Sequence, residues 1–164
     1  MREFKNYKLI FHELTSKSSE LVFEDEKVSV HTIPLDHRIY TNGFIFKEKP
    51  FERKLDINKA KDLNIDKAYF RKLKQGDDVV NEQGKLILNT EVTYQGHQPK
   101  SYAFCSDTAY KESIIPIISG VDVLYHESTF LEAHANLCAK TKHSTAKQAA
   151  TIALKANVKQ LILG

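Results

Sequence analysis

The sequence has 164 residues, enough for one domain with a sizeable core, and nothing in it demands two. Its 41% hydrophobic and 27% charged residues are those of an ordinary globular chain, with no apolar run long enough to cross a membrane and no signal-peptide core after Met1-Arg2-Glu3-Phe4. Cys105 and Cys138 are too few for a disulfide framework and fit a reducing compartment, so a cytoplasmic protein is expected. The formal net charge of +3 is unevenly placed: residues 47–74 hold ten Lys/Arg against five Asp/Glu, a local +5. Such a cluster is either a solvated face or the footprint of a polyanion partner.

In chain order, Tyr7 to Phe23 has short apolar runs around Thr15-Ser16-Lys17-Ser18-Ser19 and fits a hairpin or two edge strands. Lys27 to Ile33 alternates as a strand that Pro34 ends, Asn42-Gly43 is a turn signal, and Phe44-Ile45-Phe46 is the next strand. His37 therefore falls in a connection between strands. In the basic segment, Asp56 can cap a short helix stopping at Asn64, and Asp66 a second one stopping at Gly76. Leu55, Ile57, Leu63, Ile65, Phe70 and Leu73 are few apolar anchors for these helices, so a protruding, mobile arm is expected. Phe51, Tyr69 and Phe70 either anchor the arm or stack on unpaired bases. Asp77 to Glu91 reads as a hairpin turning at Glu82-Gln83-Gly84, followed by a polar loop in which His97 has no evident partner.

From Ser101 strands alternate with helices. Tyr102 to Cys105 and Val121 to Tyr125 read as buried strands, separated by a short helix over Glu112 to Ile118 that Pro116 interrupts. Residues 146, 149, 150, 153 and 154 form one apolar helical face, and Thr145 with Gln148 fits a capping box, so this helix starts just after His143. Val158 to Leu163 is nearly continuous in apolar character, as an interior strand would be. Asp107, His126-Glu127 and His143 thus stand at element ends, where α/β folds place their chemistry. A carboxylate on one strand end with imidazoles on neighbouring loops suits a cation such as zinc, although Ser106-Asp107-Thr108 serves equally as a turn or cap. His143 before a helix N-terminus is either a loop histidine or a proton donor beside a phosphate.

The segments Tyr102-Ala103-Phe104-Cys105-Ser106-Asp107-Thr108, Asp122 through Phe130, His143-Ser144-Thr145-Ala146 and Leu161-Ile162-Leu163-Gly164, in that order, resemble the ribonuclease Z family. These are the tRNA 3′-processing endonucleases of the metallo-β-lactamase superfamily. The family's HEAT motif stands here as His126-Glu127-Ser128-Thr129, and its HST motif as His143-Ser144-Thr145. Pro34-Leu35-Asp36-His37 followed by Gly43-Phe44 resembles the segment carrying a further metal motif, and the likeness extends over most of residues 28–164.

The resemblance implies an α/β fold: a partial metallo-β-lactamase αββα sandwich over residues 1–164, with an inserted basic helical arm over 47–76. It makes His37 a ligand of one zinc and Asp107 the carboxylate bridging two. His143 would protonate the leaving 3′-oxygen or stabilise the scissile phosphate, oriented by Glu127, with Ser144 at the substrate. Two zincs would support hydroxide attack on precursor tRNA, removing the 3′ trailer. The arm resembles the family's tRNA clamp, with Lys49, Arg53, Lys54, Lys59, Lys61, Arg71 and Lys72 as phosphate contacts and a homodimer as the expected assembly. It departs from the family at Asp66-Lys67-Ala68, which replaces a Gly-Pro element.

The family's HxHxDH motif is absent from these 164 residues, and the final histidine ligand is expected just past Gly164. Two protein ligands do not make a dinuclear site. The expectation is therefore one portion of a zinc endoribonuclease, with little or no nuclease activity and no stably bound zinc by itself. Two other functions remain open: a relative that hydrolyses small phosphodiesters or sulfate esters, or a non-catalytic RNA-binding or dimerising fragment. Without the other half of the sandwich, an apolar sheet face is expected to be exposed.

Overall fold

A computed structural model describes residues 9–164. In chain order its elements are β1 (Leu21–Glu24), β2 (Val28–Pro34), β3 (Asn42–Glu48), β4 (Lys54–Leu55), α1 (Ile57–Asp62), α2 (Phe70–Gln75), β5 (Val79–Val80), β6 (Leu86–Ile87), α3 (Asn89–Val92), β7 (Thr93–Tyr94), β8 (Ser101–Cys105), β9 (Val123–His126), α4 (Cys138–Thr141), α5 (Ala146–Lys155) and β10 (Gln160–Leu163). Of the expected N-terminal hairpin, Tyr7 and Lys8 lie outside the described residues. Residues 9–11 form no strand, and only β1 pairs, antiparallel to β2.

Six strands make the main sheet in the order β1-β2-β3-β8-β9-β10. The first four are antiparallel neighbours, whereas β8, β9 and β10 run parallel. Asn42-Gly43 opens β3 instead of making a turn. A Cβ on Gly43 would lie 2.3 Å from the carbonyl oxygen of Phe104, so glycine is there to let the β3 and β8 backbones approach.

The pleat gives the sheet two unlike faces. Ile33, Ile45, Ala103, Cys105 and Leu124 point to one side, where Ile114, Ile118, Val121 and the helix α5 cover them in a closed core. The other side carries Phe46, Tyr102, Phe104 and Tyr125, with ring centres 6.1 Å apart for Phe46–Tyr102 and 4.8 Å for Phe104–Tyr125. Phe46 is 39% exposed, and Tyr102 and Phe104 are each 37% exposed. β8 and β9 are thus buried on one face only, and β10 lies at the sheet's edge, because apolar sequence on both faces does not itself supply a covering layer.

Three helical expectations are refined. The capping box at Thr145 is present, with Gln148 N donating to Thr145 Oγ1 at 3.1 Å and Thr145 N to Gln148 Oε1 at 3.0 Å. The buried face of α5 is Ala149, Ile152 and Ala153, continued by Ala156, while Leu154 is 83% exposed. Ile152, the bulkiest of these, sets the rotation. Over Glu112 to Ile118 the chain makes a 3-10 turn (Glu112–Ile114) and further turns instead of an α-helix, since Pro116 has no N–H to continue one.

The basic segment builds a second cluster. Asp56 caps α1 through the amides of Asn58 and Lys59, and Asp66 caps the 3-10 turn that leads into α2, which ends at left-handed Gly76. Their apolar sides meet the β5–β6 hairpin and α3: Ala60, Ile65, Leu73, Val79, Ile87 and Val92 are all buried together. The anchors that residues 47–76 lack are supplied by residues 77–94, and β4 pairs with β7 to close the unit.

Candidate active site

Cys105 and His126 pair in register at the ends of parallel β8 and β9, so the residues after them leave the sheet together. Asp107 takes a left-handed conformation (φ 56°), which aspartate tolerates better than most residues. Thr108, fully buried, ties this turn to its surroundings. Its hydroxyl accepts from Asp36 N at 3.1 Å, its amide donates to Glu127 Oε1 at 2.7 Å, and its carbonyl accepts from Ser144 Oγ at 2.7 Å. The His37 loop, the Asp107 turn and the segment before α5 are thereby held in one place.

Glu127 is buried at the centre of this frame. Besides Thr108 N, His143 Nδ1 donates to Oε1 at 2.7 Å, and Oε2 accepts from Thr129 Oγ1 at 2.6 Å and Ser144 N at 3.1 Å. Burial alone pushes the carboxyl up, but these hydrogen bonds outweigh it and hold Glu127 below the usual carboxylate range, so it stays ionised. His126 is the converse case: burial pushes its pKa down, its Nδ1 faces the Glu127 carbonyl at 2.7 Å, and its Nε2 has no partner. A neutral ring with the proton on Nδ1 satisfies this arrangement.

His37 presents Nδ1 to the carbonyl of Lys142 at 3.1 Å, and Lys142 Nζ pairs with Asp36 Oδ2 at 3.0 Å. With Nδ1 of both His37 and His143 engaged, the ring nitrogen left for other partners is Nε2 in each. One donor atom each from His37, Asp107 and His143 lies within 4.8 Å of the other two. Two imidazoles and a carboxylate fit one divalent cation with positions to spare. They do not fit two, and this cluster is the one such group found among the described residues.

The structure thus brings together His37, Asp107, Glu127 and His143. Ser144 is fully buried within the frame, its hydroxyl turned to Thr108. Sequence reading missed the joining roles of Thr108, Thr129 and Lys142. The left-handed Lys142 (φ 62°) has no sequence signature, whereas a threonine directly after Asp107 was visible but unassigned.

The cations of the basic segment are set apart from this cluster. Lys54, Lys67, Arg71 and Lys74 line an open groove of about 810 Å³ together with Phe70 and Tyr94. It is larger than the roughly 470 Å³ cleft beside His37 and holds none of the cluster residues. Lys72 lies 5.9 Å from the centre of the Tyr69 ring, and Lys59 and Lys61 are exposed on α1. Lys49 pairs with Glu24 at 3.0 Å, and Arg53 is spent on Thr93, its Nε donating to Oγ1 at 2.6 Å. His97, without a partner in the sequence reading, meets Glu48 Oε2 at 3.0 Å.

No protein-family model matches the sequence. Among solved structures, human tRNase Z, short form, superposes with a TM-score of 0.53 at 19% identity, covering 90% of this chain and 39% of that one. A metallo-β-lactamase fold protein from Bacillus subtilis gives 0.51 at 12% identity, covering 88% and 38%. Together they assign the architecture: a mixed α/β chain carrying part of the metallo-β-lactamase fold. Sequence relatives are more specific. Ribonuclease Z from Bacteroides fragilis is 40% identical, that from Parabacteroides distasonis 44% and that from Cytophaga hutchinsonii 46%, each over 96% of this chain. The chain is a homologue of ribonuclease Z, and it spans about half the length of the curated relatives it matches, 52%, 52% and 50% respectively.

Proposed function

We propose that this chain supplies one half of a zinc-dependent endoribonuclease that removes the 3′ trailer from precursor tRNA. The observation that carries the reading is the Glu127–His143 contact of 2.7 Å, standing beside His37 and Asp107 in a homologue of ribonuclease Z. In the complete enzyme His37 and Asp107 would hold metal, which would act as a Lewis acid on the phosphoryl oxygens. Glu127, an ionised positioning residue, would fix the His143 ring and stabilise it when protonated. His143 Nε2 would then deliver a proton to the leaving 3′-oxygen. The amide end of α5, which starts just beyond His143, favours an anionic phosphate nearby.

Lys54, Lys59, Lys61, Arg71 and Lys72 would grip tRNA phosphates away from the reacting bond, by a salt-dependent term without sequence information. Lys49 and Arg53 would join them only by leaving Glu24 and Thr93. Cytoplasmic location and a homodimer, in which one subunit's arm serves the other's site, belong to this proposal. Relatives named for RNA cleavage favour it over the small-ester alternative. No helix among the described residues is long and apolar enough to cross a membrane.

The test joins this chain to the half of the Parabacteroides distasonis relative that it does not match. The joined protein should cleave precursor tRNA with zinc and lose that activity with His143→Ala. Arg71→Ala with Lys72→Ala should raise KM for tRNA in a salt-dependent way and leave turnover of a small phosphodiester unchanged. Equal effects on both substrates would remove the arm from substrate binding. The 164-residue chain alone should be inactive, and zinc-dependent cleavage by it that Asp107→Ala abolishes would refute that expectation.

A further inference from the structure

We propose that Arg38 and Lys140 form a phosphate-binding subsite beside His143, which takes the nucleotide whose 3′-oxygen is released and grips the phosphate on that nucleotide's 5′ side. This subsite rests on the nuclease reading and adds to it the part of the RNA backbone that enters the site. Its cations stand next to the reacting bond, apart from those of the basic segment.

The observation behind it is a pocket of about 280 Å³ lined by Arg38, Lys140, Thr141 and His143. Arg38 comes from the connection between β2 and β3, Lys140 from α4, and His143 from the segment before α5. Lys142 braces these pieces against one another. Its Nζ pairs with Asp36 Oδ2 at 3.0 Å and its carbonyl meets His37 Nδ1 at 3.1 Å, so the two residues before Arg38 are tied to the residue before His143.

Charge in this pocket is unbalanced. Asp36, the one carboxylate of its loop, is taken by Lys142, and neither Arg38 nor Lys140 forms an ion pair among the described residues. Thr141 adds no free donor, since its hydroxyl donates to the Leu137 carbonyl at 2.9 Å. The pocket therefore offers an exposed guanidinium fork and an exposed ammonium, a combination suited to phosphate oxygens. Its volume is near the lower bound of small-ligand pockets, roughly 300 Å³, so it admits one nucleotide unit and no duplex.

His143 indicates which phosphate is held. Its Nδ1 is engaged by Glu127 at 2.7 Å, which leaves Nε2 for the leaving 3′-oxygen. The scissile phosphoryl group belongs with His37 and Asp107, and neither of these lines the pocket. A pocket that shares only His143 with the cluster receives the nucleoside that carries the 3′-oxygen, whose nearest other charge is its 5′ phosphate. Such a contact positions the strand for reaction without reading a base. Arg38 also borders the larger cleft beside His37, whereas Lys140 does not, so the assignment to the 5′ side depends on Lys140.

A precursor minihelix with an uncharged methylphosphonate at one chosen linkage tests the subsite in the joined protein. With the charge removed 5′ to the nucleotide that gives up its 3′-oxygen, the parent should lose about tenfold in kcat/KM, the size expected for a charge-assisted hydrogen bond. Arg38→Gln and Lys140→Gln should each lose as much on the unmodified RNA, and on the modified RNA they should match the parent within about twofold. Additive losses, or variants as active as the parent, would overturn the proposal, as would non-additivity found only with methylphosphonate on the 3′ side of the cut. A direct measurement needs no cleavage. NMR titration of the 164-residue chain with a trinucleotide ending in a free 3′-hydroxyl should move the Arg38 side-chain signal. Arg38→Gln and Lys140→Gln should weaken that binding at least fivefold, and Lys147→Gln should not. No binding, or equal affinity in all of these variants, rejects the subsite. Failure of the joined protein to cleave would count against the nuclease reading instead, and the titration would still decide on the subsite.

Discussion

Glu127 accepts hydrogen bonds on both oxygens, from Thr108 and His143 on one side and from Thr129 and Ser144 on the other. An amide in its place would turn an NH2 toward two of these donors. Glu127→Gln should therefore lower the unfolding free energy by about 3 kcal/mol, read by urea denaturation, since buried donors left without acceptors cost about 1–3 kcal/mol each. A loss below about 1 kcal/mol would mean that water replaces these contacts. Acid should act in two stages. His126 has a folded pKa below that of the unfolded chain, so the unfolded state binds the extra proton first and stability falls as pH drops below about 6.5. Glu127 is likewise depressed, so its contribution is present above about pH 4.3 and is lost as pH falls through its lower folded value. Unfolding measured from pH 8 to pH 4 should show the upper stage, and His126→Gln should remove it. Thr108 and Lys142 illustrate what a sequence hides at this scale: their worth lies in partners 19 to 106 positions away.

At the scale of elements, α5 and β3 show how tertiary contacts decide between readings that periodicity leaves equivalent. Alanines recur around α5, so several stripes qualify as apolar, and the helix turns to bury Ile152 and expose Leu154. Ile152→Ala should cost about 2–5 kcal/mol, while Leu154→Ala should stay within about 0.5 kcal/mol, both by thermal or urea unfolding. The reverse ranking would restore the stripe containing residues 150 and 154. Asn42-Gly43 reads locally as a turn, yet Gly43 pairs with Ile33 inside the sheet. Gly43→Ala should destabilise by about 3 kcal/mol through forced separation of β3 and β8. If the variant unfolds like the parent, the sheet spreads there without cost.

At the scale of the whole molecule, the described residues close the sheet on one side only. Phe46, Tyr102, Phe104 and Tyr125 form an aromatic surface of a kind that exposed faces seldom carry without a partner layer. The purified chain should bind a hydrophobic dye such as ANS in its native state, and Tyr102→Lys with Phe104→Glu should reduce that emission without changing far-ultraviolet circular dichroism. Unchanged emission would place the dye elsewhere. The basic segment behaves differently, because its helices bury their apolar sides against the β5–β6 hairpin and α3. Its cations are thus carried on a unit with a core of its own, at whose surface Lys54, Arg71 and Lys74 line the open groove.

By its residues alone, the chain specifies most strands, the caps at Asp56, Asp66 and Thr145, and the placement of Asp107, Glu127 and His143 at element ends. These depend on local chemistry: side-chain alternation, hydroxyl and carboxylate caps, and the apolar runs of parallel strands. Tertiary structure alone decides that His37 reaches Asp107 and His143, that Ser144 and Thr108 are framework, that Arg53 is tied to Thr93, and which side of the sheet is covered. Each of those outcomes depends on how backbone segments distant in sequence approach one another, and no local pattern carries that distance.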